Sequence, residues 1–197
     1  IAGMAGLADR IDIRNKKTVD DYLDIAEKEG YSKELLYEIA SVIDFVSSKI
    51  RFMEVREYIE VLFGEPRSQQ KHLVKLMAPY IKKLSEKGLA IAKANAKTEL
   101  INKTTLQIID IEKTFPGFGF YPKPGMAVGM THDDLQKTNK ITNLVTAGVM
   151  GTAITLRATD ESNFSVHELI IFINKKSPTS FCEGGGHKNA GSITFLP

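Results

Sequence analysis

Near the end of the chain stands Glu183-Gly184-Gly185-Gly186-His187-Lys188-Asn189-Ala190-Gly191-Ser192. Three consecutive glycines are costly, because each loses more backbone freedom on folding than any other residue. They fit a place where the backbone bends through positive φ or lets a ligand approach its N–H groups. A glycine-rich turn between two core elements accounts for GGG alone more simply. The histidine and the small residues at fixed offsets favour an anion site, phosphate above all. There Gly184, Gly185 and Gly186 expose N–H donors, His187 donates a hydrogen bond and Lys188 adds charge.

Other residues with chemical potential are scattered. Asp9 and Asp12 follow a small apolar stretch, a place where α/β enzymes set metal ligands or acids. A salt bridge to Arg10 or Arg14, or a helix cap, explains them equally well. Arg157 ends the strand-like Thr152–Ala158 and either meets solvent or reaches a ligand. Thr131-His132-Asp133-Asp134 has metal-binding residue types, yet Thr131 as a cap with Asp133 and Asp134 in the first turn explains it fully. Asp20-Asp21 likewise suits a helix start. Cys182 is expected as a small core side chain. Phe115, Phe118, Phe120 and Tyr121 could stack on a base, although aromatics pinning a loop to the core is the simpler reading.

The elements that must position these residues follow from periodicity. Ile1–Ala8 reads as the end of a buried strand and a tight turn. Thr18 opens a helix that stops at Gly30, and Ser32 caps the next, whose apolar stripe runs from Leu35 to Ile50. A third spans about Met53 to Phe63, and Gly64-Glu65-Pro66 ends it. Ser68–Lys97 is helical with Pro79 inside, so a kink or two helices is expected. Beyond Asn102 the composition changes. Thr104–Ile111 reads as a strand, 114–125 as a Pro/Gly-rich loop and Ala127–Met130 as a short strand. Leu135 to about Ala147 reads as an irregular helix, Ser165–Asn174 as a capped helix and Ser192–Leu196 as a strand. The class is α/β, with α+β as the alternative: a helical region and connecting helix, then a mixed-sheet α/β domain.

The chain has 197 residues, 43% of them apolar and 25% charged, as in ordinary globular proteins. There is no apolar run of membrane-spanning length and no signal peptide. A single cysteine excludes an internal disulfide and suits a reducing cytoplasm. Net charge is only +2, so nucleic-acid binding would need a local basic patch, for which Lys113, Lys123, Lys137 and Lys140 are candidates. The opening Ile1-Ala2-Gly3-Met4 lacks an initiator methionine, which suggests a piece of a longer protein.

GGGHKNAG resembles the GGGHxxAAG signature of the DHH-associated domain, the substrate-binding half of DHH-family phosphoesterases such as the RecJ-type single-strand exonucleases. Gly191 and Ser192 stand where that family usually has Ala and Gly. Thr155-Leu156-Arg157-Ala158 resembles its Ser-x-Arg-Ser, whose arginine contacts the substrate phosphate. Gly6-Leu7-Ala8-Asp9 resembles the motif whose Asp binds catalytic manganese.

The resemblance implies three parts. They are a metal-motif tail of the catalytic domain at 1–15, a helical region with connecting helix at 16–101, and a substrate-binding domain at 102–197. It further implies a Mn2+ (or Mg2+)-dependent hydrolase acting on single-stranded nucleic acid or short oligonucleotides, with replication or repair proteins as partners. Most of the metal ligands, including the Asp-His-His triplet, are absent from this chain, so it alone is expected to be inactive. A small-nucleotide phosphatase and a non-catalytic replication scaffold of the same superfamily are the alternatives.

Overall fold

The computed structural model describes residues 1–8, 16–50, 52–64, 66–116 and 121–195. Two compact units, Ile1–Ser85 and Glu86–Pro197, divide inside a long helix.

The first unit is helical. It comprises α1 (Ala2–Ala8), α2 (Lys16–Lys28), α3 (Lys33–Lys49), α4 (Phe52–Phe63) and the start of α5 (Arg67–Asn95). The opening residues form a helix where a strand was expected. Their small side chains explain it, since a Cβ on Gly3 would lie 3.5 Å from Leu23 and one on Gly6 3.3 Å from Val19. α1 therefore lies close on α2, and Leu7, Val19 and Leu36 are buried together. Helix α2 starts two residues ahead of Thr18, so that threonine sits in its first turn and is not the cap. It ends as expected, at Gly30 with φ +82°. Ser32 caps α3 by accepting from the Leu35 N–H at 3.2 Å. Its stripe buries Leu36, Ile39, Val42, Phe45 and Val46. α5 runs through Pro79, which lies on an exposed position, as one helix of 29 residues.

The second unit is a six-stranded mixed sheet in the order β1-β2-β3-β4-β6-β5. Its strands are β1 (Lys97–Ile101), β2 (Thr104–Asp110), β3 (Leu144–Met150), β4 (Ala153–Ala158), β5 (Cys182–His187) and β6 (Ala190–Phe195). β2 and β3 run parallel and every other pair is antiparallel. The short α6 (Ile111–Thr114) follows β2, and Asp110 caps it by accepting from the Lys113 N–H at 3.1 Å. Helix α7 (Pro124–Asn139) packs on one face of the sheet, and α8 (Val166–Lys176) on the other. On the α7 face Ala92, Ile109, Ile111, Phe115, Ala127 and Val128 form a core. On the α8 face Ala147, Leu156, Val166, Cys182 and Ile193 form another. β3 is buried over most of its length, as an interior strand paired on both sides with a helix on one face.

Four expectations fail here. Residues 97–101 form a strand rather than the end of a helix, and Leu144–Ala147 begin β3 rather than close one. Residues 127–130 lie within α7, which begins at Pro124. Thr131 is thus in mid-helix, its hydroxyl donating to the Ala127 carbonyl at 2.7 Å, and it caps nothing. The run Gly125-Met126-Ala127-Val128-Gly129 reads as loop or strand by composition. Its lack of bulk is what lets the helix lie against the sheet, where Val128 occupies the space a side chain on Gly148 would need. Ser165 caps α8 as expected, accepting from Glu168.

Candidate phosphate-binding face

The sheet's register builds the site. Residues directly opposed on paired strands project from the same face. Thr146 of β3 opposes Arg157 of β4, Arg157 opposes Ala190 of β6, and Ala190 opposes His187 of β5. Arg157 and His187 therefore share one transverse row, two strand spacings or about 10 Å apart, with only the methyl of Ala190 between them. The next row on the same face holds Gly148, Thr155, Ser192 and Gly185. The Thr155 and Ser192 hydroxyls lie 3.3 Å apart. This is the face on which α7 packs, but α7 covers only the β3–β4 side of it. His187 and Ser192 are exposed, and Arg157 and Thr155 are half-buried.

The triple glycine is strand β5, not a turn. Consecutive N–H groups of an extended strand point to opposite edges, so the three amides do not converge as a nest would. The three glycines also do different work. A Cβ on Gly184 or Gly186 would collide with the carbonyl of Ser192 or of Ala190, and Gly186 has φ +130°. Both are required by close pairing with β6. A Cβ on Gly185 would meet nothing within 4 Å, so here the missing side chain leaves open space beside the two hydroxyls.

Lys188 and Asn189 form the two-residue turn after His187. Lys188 is exposed, and its carbonyl accepts from the Val166 N–H at 3.0 Å. The Asn189 carbonyl accepts from the Ala158 N–H at 2.8 Å, and its side chain donates to Asp160. At the other end of β5, Asn174 clasps Cys182, accepting from its N–H at 3.0 Å and donating to its carbonyl at 2.7 Å. Cys182 is a core residue as expected, and burial pushes its thiol pKa up, which keeps it a thiol.

Arg157 is positioned by α7. Its Nε lies 3.7 Å from where a Cβ on Gly129 would stand, and a guanidinium N–H donates to the Leu156 carbonyl at 3.0 Å. Gly125, one turn earlier, stands in the same way beside the Thr155 methyl at 3.8 Å. Behind Arg157 runs a buried polar chain. His132 Nδ1 is 2.9 Å from the Thr146 hydroxyl, which donates to Gln107 Oε1 at 3.1 Å. Sequence reasoning missed Thr155, Ser192 and this chain. The two-residue alternation of Thr152–Ala158 and Ala190–Phe195 carried the signal for the hydroxyl pair.

Asp9 and Asp12 lie outside the described residues, as do Phe118 and Phe120. Among the described residues there is no group of three or more His, Cys, Asp or Glu side chains that could hold a metal ion. These residues do not fit a metal centre, and the chemistry they offer is anion binding. Phe115 and Tyr121 are buried, as loop-anchoring aromatics would be. No described helix is long and apolar enough to cross a membrane.

The mixed sheet with its GGGH strand, preceded by a helical region, has the fold of a solved DHH domain and is similar in fold to RecJ. The DHH domain of a member of the s1p family of ribosomal proteins has a TM-score of 0.86 and 30% identity over 98% of this chain and 45% of its own. RecJ from Thermus thermophilus, in complex with Mg2+, has a TM-score of 0.52 and 19% identity over 87% of this chain and 25% of its own, a likeness of fold. An uncharacterized protein of Methanocaldococcus jannaschii is 26% identical over an alignment of 194 residues that covers 92% of this chain and 25% of the relative. The chain thus spans a quarter of that curated relative and less than half of the ribosomal-family chain. No family model matches.

Proposed function

We propose that this chain is the substrate-binding part of a metal-dependent phosphodiesterase or exonuclease of RecJ type, acting on single-stranded nucleic acid or short oligonucleotides. The observation that carries the reading is the row Arg157–Ala190–His187, with the open space at Gly185 beside it. A guanidinium and an imidazole flanking a small residue, with two hydroxyls and a bare backbone alongside, suit a terminal phosphate. Arg157, His187, Gly185 and the edge amides of Gly184 and Gly186 would hold that phosphate, with Lys188 adding charge from the turn. Such a grip fixes the position of the neighbouring ester bond, which is how a clamp remote from the reacting atoms raises the rate.

Hydrolysis belongs, in this proposal, to Mn2+ or Mg2+ held mainly by residues outside this chain, with Asp9 as its contribution. The chain divides accordingly into a metal-motif tail at 1–15, a helical region at 16–101 and the substrate-binding domain at 102–197. The enzyme works in the cytoplasm beside replication or repair proteins.

The test is His187→Ala in the full-length protein. Loss of one charge-assisted hydrogen bond predicts a kcat/KM lower by tenfold or more, about 1.5–3 kcal/mol. An unchanged kcat/KM removes His187 from the site. Binding of this chain to a labelled oligonucleotide of about ten nucleotides, compared with a dinucleotide, separates a polymer track from a small-nucleotide pocket. Because one structural relative is of a ribosomal family, RNA is the first polymer to try.

A further inference from the structure

β1 is one edge of the sheet, and all five of its residues are exposed. Leu100 and Ile101 are 73% and 49% exposed. The strand is regular, without proline or glycine, and such an edge is a template for another strand. The opposite edge, β5, offers glycines and no exposed apolar side chain. Ile101 and Thr104 flank the two-residue turn Asn102-Lys103. In such a hairpin the flanking pair exchanges both hydrogen bonds, so Ile101, Glu99 and Lys97 turn their backbone groups toward β2 while Thr98 and Leu100 turn theirs outward.

We propose that β1 pairs with β1 of a second copy, antiparallel about a two-fold axis at Thr98, joining two six-stranded sheets into one. The charge pattern selects both the partner and the register. Among two-fold registers that use the outward backbone groups, centring on Glu99 sets two carboxylates face to face. Centring on Leu100 sets Lys97 against Lys103. Centring on Thr98 sets Lys97 against Glu99 twice, and opposite charges directly across a strand pair are favourable where like charges are not. Lys97 and Glu99 have no ion-pair partner among the described residues, so both are available. Leu100 then lies over Ala96 of the second copy.

Sedimentation velocity of the whole chain across low to high micromolar concentration tests this. A monomer–dimer equilibrium is expected, with Lys97→Glu raising its dissociation constant about tenfold or more. The exchanged pair Lys97→Glu/Glu99→Lys is expected to restore it. Thr98→Cys should crosslink under oxidation, because opposed Cα atoms at a hydrogen-bonded pair stand about 5.5 Å apart, within disulfide range. The native Cys182 is buried and does not compete. A wild-type chain that stays monomeric at every concentration overturns the proposal. So does a dimer indifferent to Lys97→Glu, which places the contact elsewhere. Neither result bears on the phosphate site, which lies at the other end of the sheet.

Discussion

Replacing the three glycines one at a time separates scaffold from site. Gly185→Ala adds a methyl where nothing stands within 4 Å, and its φ is not in the left-handed region. The folded state accepts it, and the reduced freedom of the unfolded chain raises stability by about 0.4–1 kcal/mol. The same methyl enters the open space beside Thr155 and Ser192, so phosphate affinity should fall about tenfold, roughly 1.4 kcal/mol. Gly184→Ala does the reverse. Its methyl meets the Ser192 carbonyl, which is backbone and cannot swing aside, so the strand pair must shift at a cost of about 1–3 kcal/mol. Urea denaturation of each variant, paired with fluorescence anisotropy of a labelled 5′- or 3′-phosphorylated oligonucleotide, reads both quantities. If Gly185→Ala is stable and binds as tightly as the wild type, the open space is not part of a phosphate site.

Arg157→Lys keeps the charge but loses the planar fork, so most of the oligonucleotide affinity lost in Arg157→Ala should be lost in Arg157→Lys too. Equal affinity of Arg157→Lys and wild type in the same anisotropy assay would make Arg157 a general charge. His132→Ala leaves the buried Thr146 hydroxyl short of a partner, and should cost about 1–3 kcal/mol in urea denaturation while Arg157 remains in place.

Much of this architecture was legible because its signals are local. Ser32 and Ser165 are caps by type and position, and Gly30 ends a helix because few other residues adopt its positive φ. The resemblance put the Arg157 strand and the GGGH stretch at one phosphate, but not the strand order that sets them side by side. Adjacency depends on β6 lying between β4 and β5, which only the assembled sheet reveals. Residues 124–131 misled for a related reason. Gly125 and Gly129 lower helix propensity, yet they are the positions where α7 approaches Thr155 and Arg157, so packing outweighed propensity. The opening residues were misread in the same way, through Gly3 and Gly6. The triple glycine was read as a bent stretch exposing its amides because composition does not distinguish glycine needed for bending from glycine needed for closeness. Two of the three serve closeness.

Surface turns between strands usually tolerate added residues well. The one at Lys188-Asn189 is a different case, since it accepts the first N–H of α8, the last N–H of β4 and, through the asparagine amide, ties down Asp160. Lengthening it by a single residue would release three separate segments at once and swing the imidazole off its row. A hairpin tip that looks like a free end is therefore the knot of this half of the domain, and a ligand arriving there meets a surface already set.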